Sequence, residues 1–244
     1  MNDFTPNTTI SADDTLPYIP REPWMTDADF QWVLLEERAR INTEERKQAS
    51  PPKALIAIKA QHPLTADGKP GPEYLGRLRQ ALAVAKELRG SGYAAVEFMT
   101  FGGVHDGSGV TLADAGAQWL IDCADIQPEK VHRHCTVFSG NDEDRLAAEF
   151  MNEHPEFTEL HVVLSVGQIP RAQLYYIWMG WQPTLHPITL TFAAPNHSFV
   201  KELWGPWAVP SFARGPEAVA AATEEICKKH LDAVKTTPAS QPQQ

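Results

Sequence analysis

Four short apolar runs separated by stretches of helical periodicity narrow the fold of this chain more than any other feature. The runs cover 54–60 (A-L-I-A-I-K-A), 94–100, 131–138 and 160–165, and each has the length and the apolar, β-branched character of a buried strand. Between them, Leu75, Leu78, Leu82, Ala85 and Leu88 predict a helix over 73–89, closed by Gly90 or Gly92. Thr111 and Asp114 have capping spacing before a helix with Leu112, Ala115, Trp119, Leu120 and Cys123 on its buried side. Ser139 caps another, which turns Leu146, Ala147, Phe150 and Met151 inward. A crossover long enough to hold a helix joins parallel strands, so the alternation predicts a doubly wound, Rossmann-like α/β fold of three layers around a parallel sheet.

The rest of the chain extends this plan. A helical extension starts at Thr26, buries Phe30, Val33, Leu34 and Ile41, and ends before Pro51 and Pro52. Residues 171–179 form a short helix ended by Gly180, and 187–192 is the last strand candidate. Residues 1–23 are a proline-rich flexible tail, 24–235 a single domain, and 236–244 a disordered tail. Residues 193–214, with Trp204 and Trp207, read as an irregular flap before a final helix over 216–234.

Composition bounds the partners. The net charge of −10, with no stripe of lysine and arginine, argues against nucleic acid. The N-terminus lacks a signal peptide's basic and apolar regions, and no run is long enough to span a membrane, so the expected location is cytoplasmic. Cys123, Cys135 and Cys227 read as reduced core thiols. His132 and His134 share one face of a strand while Cys135 takes the other, too few ligands for a metal site.

The chemistry gathers where the strands end. Leu160–Ala172 (L-H-V-V-L-S-V-G-Q-I-P-R-A) runs from strand through turn into helix, so Ser165, Gln168 and Arg171 face the crevice beside a helix N-terminus. Arg171 either grips an anion there or is a surface arginine. The loop F-G-G-V-H-D-G-S-G after the second strand offers Gly102, Gly103, Gly107 and Gly109, whose amides either cradle a phosphate or carboxylate or merely allow a turn. His105 in that loop is an acid or base candidate, or simply solvated. Asp114, Asn141 and Asp144 read as caps and first-turn residues as readily as ligand contacts. No G-x-S-x-G, P-loop or G-x-G-x-x-G motif occurs.

Five segments in order carry a resemblance: Arg77-Leu78; Thr100-Phe101-Gly102-Gly103; Asp114-Ala115; Ser139-x-Asn141-Asp142-x-Asp144-Arg145; and Ser165-x-x-Gln168-x-x-Arg171-Ala172. From about 54 to 190 the chain resembles the YdcF/ElyC/SanA-like family of bacterial proteins of unassigned biochemistry. The family carries R-L, S-G-G, E-A, S-x-N-T-x-E-N and T-S-x-x-H-x-x-R-A at the same places. Here Gln168 stands for the family's histidine, Arg145 for asparagine and Asp142 for threonine, and Phe101 precedes the glycine pair. An amide does not titrate, so Gln168 cannot perform a histidine's proton transfer.

The resemblance implies a small anionic ligand, nucleotide-like, S-adenosylmethionine-like or a sugar phosphate, bound at the carboxyl ends of the strands. The ligand contacts it implies are Gly102, Gly103, Asp114, Ser139, Asn141, Asp144, Ser165, Gln168 and Arg171. One alternative is an active hydrolase or transferase on a phosphoester or activated sugar in envelope metabolism, with Asp114 or His105 as base. The other is a non-catalytic sensor or partner-binding relative. The cofactor, the reaction and the oligomeric state are open at this point.

Overall fold

The computed structural model describes residue 25 and residues 27–48, 51–61, 63–104, 109–137 and 139–188. His105, Gly107, the two tails, the 193–214 flap and the final helix over 216–234 lie outside the described residues, as does Cys227. The sheet has the expected form. Strands β1 (Lys53–Ile58), β2 (Ala95–Phe101), β3 (Val131–His134), β4 (Glu159–Ser165) and β5 (Thr184–Ile188) are all parallel, in the order β3-β2-β1-β4-β5.

Helices α1 (Asp27–Lys47), α2 (Pro72–Gly90), α3 (Leu112–Ala124), α4 (Gly140–Glu153) and α5 (Ile169–Trp178) complete the described elements, with single 3-10 turns over Pro128–Lys130 and Val166–Gln168. Ala54, Ile56 and Ile58 pack with α2 and α3 on one face of the sheet, while Leu55 and Ala57 pack with α4 and α5 on the other. Central strands covered on both faces need side chains that are apolar on both, which is why β1 and β4 read as continuous rather than alternating runs. The N-terminal extension α1 lies against α5, where Trp32 meets Trp178 edge-on and Asn42 Nδ2 donates to Gly180 O at 3.3 Å. Among the described residues, no helix is long and apolar enough to cross a membrane.

Several expectations shift. Helix α2 buries Tyr74, Arg77, Ala81 and Val84 as well as Leu78, Ala85 and Leu88, leaving Leu75 and Leu82 only partly covered. The face turns because Arg77, polar on paper, points inward. Strand β5 begins at Thr184, earlier than Pro187 suggests; an edge strand bonds on one side only, so it tolerates a proline. Strand β3 stops at His134. Cys123 is exposed and Cys135 half-buried, both as free thiols, so neither is a core residue; Cys123 closes the outer rather than the inner face of α3.

The winding reverses between β1 and β4, because β2 and β3 extend the sheet to one side and β4 and β5 to the other. Crevices at such reversals, beyond the carboxyl ends, are where open α/β sheets hold ligands.

Candidate functional site

Lys59 follows β1 directly, and the alternation of that strand turns it to the α4 and α5 side of the sheet. It is 1% exposed. A buried ammonium is tolerated only when compensated. The start of α4 supplies this: Lys59 Nζ lies 2.6 Å from Asp144 Oδ1 and 3.6 Å from Glu143 Oε2, and donates to Gly140 O at 2.7 Å. Glu143 in turn accepts from Ala60 N at 2.9 Å, which ties the first turn of α4 to the end of β1. Tyr176 of α5 is buried beside Asp144.

Arg171, also from α5, is not a surface arginine: it is 5% exposed and lies across the start of α4. A Cβ on Gly140 would come within 2.4 Å of its guanidinium, so a larger residue there would displace the end of the Arg171 side chain, while Lys59 Nζ at 3.5 Å would be in ordinary contact.

A second network meets the first from the α2 side. Arg77 donates to Lys59 O and Ala60 O at 2.9 and 2.7 Å, and to Gln61, Glu73 and Ser165 at 3.0, 2.8 and 2.7 Å. Ser165 Oγ donates to Glu73 at 2.6 Å. The side chain of Gln168 accepts from Ser165 N at 3.0 Å and so holds the turn between β4 and α5.

Burial sets the protonation of the acids. Burial drives the Glu143 carboxyl up to about 7, against the pull of Lys59 and the Ala60 amide. Asp144 is also raised by burial, opposed by Lys59 and Arg171, and burial beside Asp144 carries the Tyr176 phenol well above its ordinary value. Protonation of Glu143 shifts the balance among Lys59, Arg77, Arg171, Asp144 and Glu73 toward positive charge, within a protein of net charge −10.

Ser139, Asn141, Asp144, Ser165, Gln168 and Arg171 are all buried, Asp144 and Arg171 beside Lys59 and the start of α4, Ser165 and Gln168 with Arg77 at the end of β4. The chain, compared with protein-family models, curated proteins and solved structures, matches none of them. The remaining site candidates have other occupations. Gly102 N and Gly103 N donate to His134 O and Val137 O, and their carbonyls accept from Ala113 N and Leu112 N at the start of α3. These two amides are committed to the fold and do not form an anion cradle.

Asp114 accepts from Thr111 Oγ1 and Arg133 at 2.7 and 3.4 Å, with Cys135 Sγ 3.6 Å away, and belongs to the β2–β3 end of the sheet. Ser139 and Thr111 cap α4 and α3 as their spacing predicts. His132 pairs with Glu97 at 2.7 Å, and no group of three metal-type ligands occurs among the described residues. Sequence reasoning passed over Lys59, Glu73 and Glu143 as site residues. The one legible signal was Lys59, a single charge at the carboxyl end of an apolar strand.

Proposed function

We propose that the chain binds a small anionic ligand, nucleotide-like, S-adenosylmethionine-like or a sugar phosphate, where β1 and β4 end, as its resemblance to the YdcF/ElyC/SanA-like family implies. The observation that carries this reading is the convergence of three buried cations, Lys59, Arg77 and Arg171, at the winding reversal of the sheet. Burying three such groups is costly, and a local positive potential is what an acidic protein requires to hold an anion. Arg171 presents a planar fork suited to a carboxylate or phosphate. The reading includes a cytoplasmic location and no nucleic-acid partner, in keeping with the overall acidity.

A second reading, a non-catalytic sensor or partner-binding relative, is favoured by Gln168. Its amide, which does not titrate, serves the backbone of Ser165. Turnover of a phosphoester panel separates this reading from that of an active hydrolase or transferase. Native mass spectrometry of the purified protein tests the binding reading itself: a co-purifying anion of ligand size is the expected result, and its loss in Arg171→Ala ties it to this crevice. A bound species retained in full by Arg171→Ala contradicts the assignment.

A further inference from the structure

A preformed cavity lies away from the Lys59 cluster, between the outer face of α3 and the loop that follows β1. Its volume is about 390 Å³, within the range of small-molecule sites. The loop wall is fixed. Thr65 N donates to Lys69 O at 2.8 Å, Gly68 N to Thr65 O at 2.9 Å, and Leu64 bridges Pro70. Gly68, at φ 74, brings the loop tip against Val110 and closes one end of the cavity; a Cβ there would lie 3.2 Å from the valine.

The floor is helical. Ala115, Trp119 and Cys123 recur at four-residue spacing and form a largely apolar stripe, flanked by Asp114, Gln118 and Asp122 at the same spacing. Lys69 is held by Asp67 at 2.6 Å, so these two charges offset each other. Asp114 is partly offset by Arg133 at 3.4 Å, whereas among the described residues Asp122 accepts from the neutral Gln118 amide at 2.8 Å and has no ion pair. The cavity therefore places the Trp119 indole beside two carboxylates, Asp114 and Asp122.

We propose that this cavity is a binding site for a small organic cation, a primary amine or guanidine carried on an aromatic or apolar body. The body lies against Trp119, and the cation bonds to Asp122 and Asp114. A ring face and carboxylates together favour a cation, the first through its quadrupole and the second through charge-assisted hydrogen bonds. The site shares no side chain with the Lys59 cluster, so it stands or falls independently of the anion reading.

Cys123 lines the cavity and is exposed, which makes its thiol a direct reporter. The test is the rate of carbamidomethylation of Cys123 by iodoacetamide in the full chain, followed by mass spectrometry of its peptide. The probes are 2-phenylethylamine, 2-phenylethanol and phenylacetate at equal concentration. The amine is expected to slow the reaction severalfold while the alcohol and the carboxylate leave it unchanged. Loss of one charge-assisted contact in Asp122→Asn should weaken the amine's protection by about tenfold in concentration. Trp119→Leu, which keeps an apolar floor, should weaken it as well. Equal protection by the alcohol or the carboxylate, no protection by the amine, or full protection in Asp122→Asn overturns the proposal.

Discussion

Glu143 is the residue whose state most affects the Lys59 cluster, because burial brings its carboxyl up to about 7, where it changes charge within the ordinary pH range. Its folded value of about 7 lies above the ordinary 4.5, so between those values the folded chain holds more protons than the unfolded chain. The stability contributed by this carboxyl is complete below about pH 4.5 and is lost as pH rises through about 7. Glu143→Gln, which fixes the neutral form, should therefore gain stability relative to wild type as pH rises across that window. Urea titrations of both proteins measure this, and parallel pH profiles would contradict it. Tyr74 gives a second check. Its hydroxyl is buried against Gly116, with no hydrogen-bond partner among the described residues. Tyr74→Phe should leave stability unchanged or raised, since an unpaired buried hydroxyl costs about 1–3 kcal/mol; a loss of more than about 1 kcal/mol would reveal a partner. These residues were hard to read in the sequence. Glu143 sits in a first turn where acids are common for the helix dipole alone, and Arg77 occupies a helix whose leucines suggest a different buried face.

At the scale of elements, strands β1, β2 and β4 and helices α2 to α5 were legible from apolar period, reinforced by a proline in the first turn of α2 and α5 and by side-chain caps on α3 and α4. Thr111 and Ser139 cap as their spacing demands, each accepting the amide three residues on. What sequence did not convey was the destination of the glycine loop. Its first two amides are spent on β3 and the segment after it, a long-range arrangement with no local signature. Gly102 is the residue that makes this joint possible: its φ is 109, and a Cβ would lie 2.7 Å from Leu112 Cβ. Gly102→Ala should cost more than about 2 kcal/mol, combining backbone strain with a clash against α3. Gly92 has φ 89 with nothing within 4 Å, so Gly92→Ala should cost only the strain, about 1–2 kcal/mol. Thermal or chemical denaturation ranks the two; equal losses would mean that the contact with Leu112 is readily relieved.

At the scale of the whole molecule, a chain of net charge −10 concentrates three buried cations where its sheet reverses direction, and it sets an acidic, aromatic cavity on the other side of α3. The long-range field repels anions, so affinity for one must come from the crevice and must weaken when a cation there is removed. Arg171 is the most informative of the three, because Lys59 and Arg77 also brace the β1 end. The decisive measurement is calorimetric titration of wild type, Arg171→Ala and Arg171→Lys with ADP and with glucose 1-phosphate, each variant first shown to be folded by circular dichroism. At least one of these phosphates should bind wild type. Arg171→Ala should weaken it by about ten- to a hundredfold, the equivalent of roughly 1.5–3 kcal/mol, and Arg171→Lys should recover only part of the loss. Equal affinity in wild type and Arg171→Ala, or no binding of either phosphate to wild type, would contradict the assignment of an anion site to the β1–β4 crevice.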